Sequence, residues 1–472
     1  MYIGLELGNG ECSIGIVDQN KNNFNNIELF DFDAGGGNNQ YSIPTIVSFD
    51  SKSNEIKIGV DAENNILNNP SQTIFNILKI IGKNYKQINN DIDIWPFKIY
   101  YNEDLCRPYV KINYNKQKNR IFFFEDLLSI YLKKIFEIFF GKIKLINNDS
   151  HNNKNIINLI LVVTVPNNYN YLQRKIIEKI FQTQIFPQNK DITNSSIIKN
   201  NINDNINMNE NKNNKDINLY SGYKILLKDI KIENGSSLAG LCLFNSKLKL
   251  KNNINEIFSL NSKLYDSNKE FLMNNFNTNN NANKERDSVN SINIKQKTNK
   301  IILVINIDGG FTNISLGTIS HNKPKEKNGS KIKNSKNSKK NNLNILEIKE
   351  LSGNEFGEED LVDMYINYCL KKFDDNIYKE CLKSSRELAR LRQSILIAKK
   401  YFNSTEKEIT ISISLPHKSL DLKINLNQKD YEKSCQEILG KIISLIKNIL
   451  KKAKLSEKKH RYNYANSIKI NR

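Results

Sequence analysis

No run of apolar residues in the 472-residue sequence approaches the ~18–20 that a membrane-spanning helix requires, so a helical membrane protein is not expected. The six cysteines (Cys12, Cys106, Cys242, Cys369, Cys381, Cys435) are scattered and form no CxxC pair, which argues against a zinc site and against a disulfide scaffold. The four histidines (His151, His321, His417, His460) stand alone, so no histidine-based metal or catalytic cluster is expected. Met1-Tyr2-Ile3-Gly4-Leu5 enters a strand pattern at once, with no basic segment and no small-residue cleavage site, so a secretory leader is not expected either. The resulting expectation is a reducing, cytoplasmic setting.

Positive charge and asparagine are plentiful. The net charge is +20, but residues 323–340 carry eight Lys against one Glu, and residues 441–472 carry ten Lys or Arg against one Glu. Most of the excess therefore lies in two stretches, and it is read as solvated charge rather than as a polyanion-binding surface. The tail Lys451–Arg461 is read as a solvated terminus. Residues 187–222, 245–298 and 321–344 are rich in Asn, Lys and Ser with no sustained periodicity, and read as low-complexity insertions.

The remaining sequence alternates strand and helix patterns, which indicates an α/β protein of roughly two or three domain-sized units. Expected strands include Tyr2–Leu7, Ser13–Asp18, Thr45–Asp50, Leu159–Val165 and Ile301–Ile307. Expected helices cover 72–82, 125–140, Gln173–Phe186, Leu388–Phe402 and about 429–452. Ser384-Ser385-Arg386-Glu387 has the spacing of a capping box before the fourth of these. Arg386, Arg390 and Arg392 are expected to form salt bridges around that helix. Cys12 is expected to be a buried small hydrophobe.

One pattern occurs twice. Gly4-Leu5-Glu6-Leu7-Gly8-Asn9-Gly10 followed by Cys12–Val17 is a strand, an acid, a glycine turn and a second strand. Ile305-Asn306-Ile307-Asp308-Gly309-Gly310 followed by Thr312–Ile319 repeats that plan about 300 residues later. Glycine turns let backbone N–H groups approach an anion, and a nearby carboxylate can hold a hydrated divalent cation, so the pair points to phosphate and metal binding between two similar halves.

At these residues the sequence resembles the nucleotide-binding domain of the 70-kDa heat-shock chaperone family, which shares its fold with actin and sugar kinases. Ile3-Gly4-Leu5-Glu6-Leu7-Gly8 is similar to the family's I-G-I-D-L-G, and Asn69-Pro70-Ser71-Gln72-Thr73-Ile74-Phe75 with Ile80-Ile81-Gly82 to its N-P-x-N-T-V-F…L-I-G. Trp95-Pro96-Phe97 and Arg107-Pro108 match short motifs of its upper subdomain. Val162-Val163-Thr164-Val165-Pro166 with Gln173-Arg174 resembles V-V-T-V-P…Q-R, and Arg386 to Lys400 follows R-A-L-R-R-L-R…A-K-R. Gly353 to Asp360 looks like a reduced G-D-T-x-L-G-G-E-D.

The resemblance implies a two-lobed actin-like ATPase fold, α/β, each lobe with a central mixed sheet and flanking helices. Lobe I would be 1–186, with an upper subdomain at about 52–115. Residues 223–244 would link the lobes, and 299–472 would form lobe II. It implies ATP or ADP with Mg2+ as cofactor. Gly8, Asn9, Gly10, Gly309 and Gly310 would face phosphate, Lys399 would lie on the adenosine side, and Glu6 and Asp308 would be the weak candidates for catalysis and for Mg2+ held through water.

The sequence departs from the family at the reactive positions. Glu6 is one methylene longer than the family's aspartate, the loop hydroxyls are replaced by Asn9 and Gly10, and Leu78 takes the place of the helix lysine. Lys79 is one residue, or about 100°, further round the helix and is expected to point elsewhere. An ungapped match puts Asn306, Phe311 and Asn313 at the second loop's aspartate, threonine and later aspartate; a gapped match lets Asp308 serve as the acid. Gly235 replaces the metal-side glutamate, and Leu396 replaces the glutamate of the adenosine helix.

Ser467-Ile468-Lys469-Ile470 resembles the strand before the family's adenine loop. That loop, the final crossing helix and the client-binding domain are not in the sequence, so client binding in the usual domain is not expected. The expected function is a divergent chaperone nucleotide-binding domain with weak nucleotide binding and impaired hydrolysis. It would act alongside other chaperones, J-domain proteins or nucleotide-exchange factors, with the ribosome as a further partner and no membrane. The alternatives are an active ATPase, with Lys79 or Lys83 serving at the γ-phosphate, and a ligand-free interaction protein or truncated gene product.

Overall fold

The computed structural model describes residues 1–17, 27–33, 39–50, 52–88, 90–114, 117–146, 156–187, 219–220, 223–235, 300–322, 343–402, 408–415 and 420–453. The insertions at 187–222, 245–298 and 321–344 fall almost wholly outside these residues, as do Ser467–Ile470 and the tail beyond Ala453. The chain divides into two compact units. The first comprises Met1–Gly235, Ile307–Thr312 and Glu355–Leu439, and the second Ser236–Asn306, Asn313–Asn354 and Gly440–Arg472.

A seven-stranded mixed sheet organises the first unit. Its order is Leu219–Tyr220, Tyr223–Asn234, Ile156–Val165, Tyr2–Leu7, Glu11–Val17 and Ile27–Leu29, with Ile43–Pro44 also on Glu11–Val17. Tyr2–Leu7 runs parallel to Ile156–Val165, in register from Tyr2 opposite Ile160 to Glu6 opposite Thr164, and antiparallel to Glu11–Val17. Period-2 alternation sets the faces: Ile3, Leu5 and Leu7 are buried while Tyr2, Gly4 and Glu6 are exposed. Of residues 223–244, expected to link the lobes, Tyr223–Asn234 form a strand parallel to Ile156–Val165, and 236–244 lie outside the described residues.

Helix Phe124–Ile146 contributes Tyr131, Phe136, Phe139 and Phe140 to the core, all fully buried. Phe136 packs edge-to-face on Phe186 at 5.0 Å, and Phe140 approaches Tyr220 at 5.6 Å. Each such side chain contributes ~1.5–3 kcal/mol on burial, which fixes this helix to the sheet. No helix among the described residues is long and apolar enough to cross a membrane.

The helix expected over 72–82 is much shorter. Pro70–Gln72 is a 3-10 turn, Thr73–Ile74 is a strand paired with Val47–Ser48, and only Ile77–Ile80 is α-helical. Asn76 sits at φ 57° in the left-handed region and breaks the continuity between strand and helix. Every residue from Thr73 to Ile81 is buried, so the apolar spacing of Ile74, Ile77, Leu78 and Ile81 reflects a segment enclosed on all sides rather than one face of a helix.

Helices Glu358–Leu370, Asp375–Lys383 and Ser385–Tyr401 complete the first unit, with the hairpin Ile409–Leu415 and Leu420–Leu426 and the first half of helix Gln428–Lys452. Ser384 caps its helix by accepting from the Glu387 amide at 3.4 Å. The Glu387 carboxylate accepts instead from Arg390 at 3.0 Å and from the Ser414 amide at 3.1 Å, tying the helix to the hairpin. In the second unit, strands Lys300–Ile307, Thr312–Asn322 and Leu343–Asn354 form a sheet, and Ile314 and Leu316 pack with Ile449 and Leu450.

Candidate functional site

Both glycine turns lie in the first unit and touch each other. The first, Gly8–Gly10, joins strands Tyr2–Leu7 and Glu11–Val17. Its carbonyls are held from behind: the Thr45 hydroxyl donates to the Gly8 carbonyl at 2.7 Å, and the Thr45 amide to the Gly10 carbonyl at 2.8 Å. Cys12 lies beneath, fully buried, with its sulfur 3.4 Å from the Thr45 hydroxyl. Burial pushes the Cys12 thiol up to about 11, so it is a neutral packing group at physiological pH, as expected.

The second turn, Asp308–Phe311, follows strand Lys300–Ile307. The Asp308 amide donates to the Phe311 carbonyl at 2.8 Å and closes the turn. Its carbonyls accept from the first amides of helix Glu358–Leu370: Glu358 to Asp308 at 3.0 Å and Glu359 to Gly309 at 2.6 Å. Two helix-end donors that the helix itself cannot satisfy are thereby used. Phe311 is fully buried and meets the Tyr169 ring edge-on at 5.7 Å, and the Tyr169 hydroxyl donates to the Leu78 carbonyl at 2.6 Å.

The Asp308 carboxylate spans the two turns. It accepts from the Asn9 amide at 2.9 Å through one oxygen and from the Gly309 amide at 2.6 Å through the other. Burial raises its pKa to about 6 against the pull of the Asn9, Gly309 and Gly10 amides, and the negative charge of Glu6 adds to the rise. The backbones are in direct contact: a Cβ on Gly309 would stand 2.6 Å from both the nitrogen and the Cα of Gly10. A Cβ on Gly310 would stand 2.8 Å from the Cε of Lys79 and 2.5 Å from the side-chain nitrogen of Asn9. Only glycine permits this approach.

The structure therefore brings Gly8, Asn9, Gly10, Asp308, Gly309 and Gly310 together. Glu6 lies on the face of its strand opposite Leu5 and Leu7, where it accepts from the Ser13 hydroxyl at 3.0 Å; surrounding protein raises its pKa, and its charge reaches Asp308. Among the described residues, no group of three or more His, Cys, Asp or Glu side chains is arranged to hold a metal ion. Gly235 lies beside Thr164, with the side-chain oxygen of Thr164 3.6 Å from where a Cβ would be. Lys399 pairs with Glu358. Asn306 belongs to the strand before the turn, and Asn313 is buried just after it. The acid that stands at the turn is Asp308.

Lys79 departs from expectation. The one-turn helix aims Leu78 into the core and, one step round, Lys79 towards the second turn, where its ammonium pairs with Asp360. Lys83 pairs with Glu355. Asp360 also accepts from the Gly357 amide at 2.7 Å, so one carboxylate both caps the helix and holds Lys79.

Two groups had no separate signal in the sequence. Asn76 accepts from the Asn9 side-chain nitrogen at 2.6 Å, leaving the Asn9 side-chain oxygen and the Asn76 side-chain nitrogen buried without a partner. Arg392, expected to serve its own helix, reaches out of it: it pairs with Asp363 at 2.6 Å and with Glu359, and lies 4.2 Å from the Phe75 ring centre. The Trp95 indole nitrogen donates to the other Asp363 oxygen at 2.9 Å. Arg390 does stay local, pairing with Glu387.

Comparison with known proteins gives two findings. The family model described as Hsp70 protein matches residues 2–182 and 342–461, well over half of the chain. The chain is 26% identical over 175 residues to "Heat shock cognate 70 kDa protein 3" of Dictyostelium discoideum, a match covering 37% of this chain and 24% of that relative. The chain thus spans about a quarter of the length of that relative, one of several curated proteins it matches.

Proposed function

The chain belongs to the Hsp70 family as a divergent nucleotide-binding domain of the actin-like ATPase fold, and from that premise we propose that it serves a chaperone system without efficient ATP turnover. Members of the family bind ATP or ADP with Mg2+ and work with J-domain proteins and nucleotide-exchange factors. In this reading the domain acts alongside such proteins through its surface, and any nucleotide it takes is bound weakly.

The observation that carries the reading is the contact between the turns. The Asn9 and Gly309 amides, groups that would face phosphate, already donate to Asp308, and Gly309 lies against Gly10. In this reading a triphosphate would have to displace the Asp308 carboxylate from the Asn9 and Gly309 amides to reach them. Nor do the residues present fit the usual metal site, since Gly235 carries no carboxylate and the Glu6 carboxylate is engaged by the Ser13 hydroxyl. Phosphoryl transfer depends on positioning and on charges aimed at the phosphates, so these substitutions bear on turnover more than on folding.

The active alternative draws support from Lys79, whose side chain lies against Gly310. Its charge, however, is engaged by Asp360. Single-turnover hydrolysis with excess protein decides between the readings. The proposal expects no rate above the uncatalysed background and recovery of J-domain or exchange-factor proteins with the tagged chain. A hydrolysis rate that disappears in Lys79→Ala would replace it with the active reading.

A further inference from the structure

We infer that Asp308 is the resident anion of the first glycine turn, an internal carboxylate that occupies the amide nest and excludes phosphate from it. The inference rests on the reading above for the class of ligand, a nucleoside polyphosphate or its pyrophosphate part, and adds the residue that controls entry.

Three observations converge. The first is the direction of the donors. Thr45 holds the carbonyls of Gly8 and Gly10 from one side, which turns the intervening amides to the other, and there the Asn9 amide meets Asp308 at 2.9 Å. Successive N–H groups aimed at one point form an anion-binding concavity. The second is how Asp308 is held. Its own turn is locked from behind by the Glu358 and Glu359 amides, so the carboxylate is delivered by a fixed backbone, and its charge is met by amides rather than by a cation. The third is space. A Cβ on Gly8 would lie 3.1 Å from both carboxylate oxygens, so the carboxylate fills the volume in front of the turn. A phosphate oxygen there would compete for the same donors and meet a negative charge.

A neighbouring feature fits the same account. The Asn9 side-chain oxygen and the Asn76 side-chain nitrogen are buried without a partner beside Gly310. Buried unpaired groups of this kind are disfavoured, so the closed arrangement is held by Asp308 and its anchors rather than by complete hydrogen bonding at the turn.

The alternative role for Asp308, holding Mg2+ through water, predicts the opposite sign, which makes the test direct. Binding of pyrophosphate without metal, and of MgADP, is measured by titration calorimetry on the full chain, on Asp308→Ala and on Asp308→Asn. Freeing charge-assisted donors and removing the opposing charge should tighten both ligands by about tenfold to a hundredfold in Asp308→Ala. Asp308→Asn should fall between that variant and the unmodified chain. Circular dichroism melting establishes that each variant folds; if Asp308→Ala does not, the gain in Asp308→Asn decides.

Equal or weaker binding in a folded variant overturns the inference, and selective loss of MgADP binding would assign Asp308 to the metal instead. These outcomes are separable from failure of the proposed function. ATP turnover by the unmodified chain overturns the non-hydrolysing reading, whereas unchanged pyrophosphate binding overturns only the role of Asp308.

Discussion

The two glycine turns share a sequence plan but are held in place by different means. The first is anchored by neutral groups: one Thr45 hydroxyl and one Thr45 amide hold its carbonyls, with the uncharged Cys12 thiol packed beneath. The second is anchored by the start of helix Glu358–Leu370, and that helix is fixed by charge. Arg392 grips Glu359 and Asp363, Lys79 grips Asp360, and Lys399 grips Glu358. The first turn presents donors, and the second brings its own acceptor. A repeated strand-turn-strand pattern thus specifies shape in both places, while the residues around each copy decide whether it receives an anion or supplies one.

Breaking the charged anchor should have the largest effect. Arg392 and Asp363 are almost fully buried, with side chains 5% and 8% exposed, so Arg392→Ala leaves carboxylates without their cation. A loss of about 3–5 kcal/mol of stability is expected, read as a lower urea midpoint. A loss below about 1 kcal/mol would mean that the ion pairs do not hold the second turn's helix.

The contact between the turns comes next. Gly309→Ala would place a Cβ 2.6 Å from the Gly10 backbone, where no flexible side chain can yield. A loss of about 1–3 kcal/mol is expected by thermal melting, and a neutral outcome would show that the turns separate freely. The neutral anchor should matter less. Thr45→Val leaves the Gly8 carbonyl without its side-chain donor and should lose about 1 kcal/mol. A loss equal to that of Arg392→Ala would erase the contrast between the two anchors.

A further effect is a slope. Asp308 titrates at about 6 in the folded chain, above the ordinary carboxylate value, so between about pH 4 and 6 the folded state holds more protons than the unfolded one. The contribution of Asp308 to stability therefore falls as pH rises through that window, by at most about 1.4 kcal/mol per pH unit, and is level above it. Urea midpoints of the unmodified chain and Asp308→Asn at pH 4.5 and 7 isolate this contribution. The variant should lose less stability than the unmodified chain on going from pH 4.5 to 7, and identical pH dependence would contradict the burial of the carboxylate.

Much of the scaffold was legible because it rests on local periodicity. Alternation marked Tyr2–Leu7, and the apolar run Leu159–Val165 marked a central strand, which begins three residues earlier at Ile156. The paired hairpins announced the two turns that meet. What was not legible depends on distant partners or on backbone angles. The left-handed Asn76 has no marker in the apolar spacing, so a strand and a one-turn helix looked like three turns of helix. The direction of Lys79 follows from that error. The Asn9–Asn76 pair joins residues 67 apart, and Arg392 reaches 29 residues back to Asp363. The sequence left two registers open for Asp308; which donors its carboxylate meets is set by packing between segments about 300 residues apart.

The most direct test of the account is hydrogen exchange at the Asn9 and Gly309 amides of the unmodified chain, followed by NMR with and without saturating MgATP. Both amides should exchange slowly in the free chain, because Asp308 already accepts from them, and MgATP should leave their rates unchanged. Fast exchange in the free chain with strong protection on adding MgATP would contradict it, because the turn would then be open and waiting for phosphate.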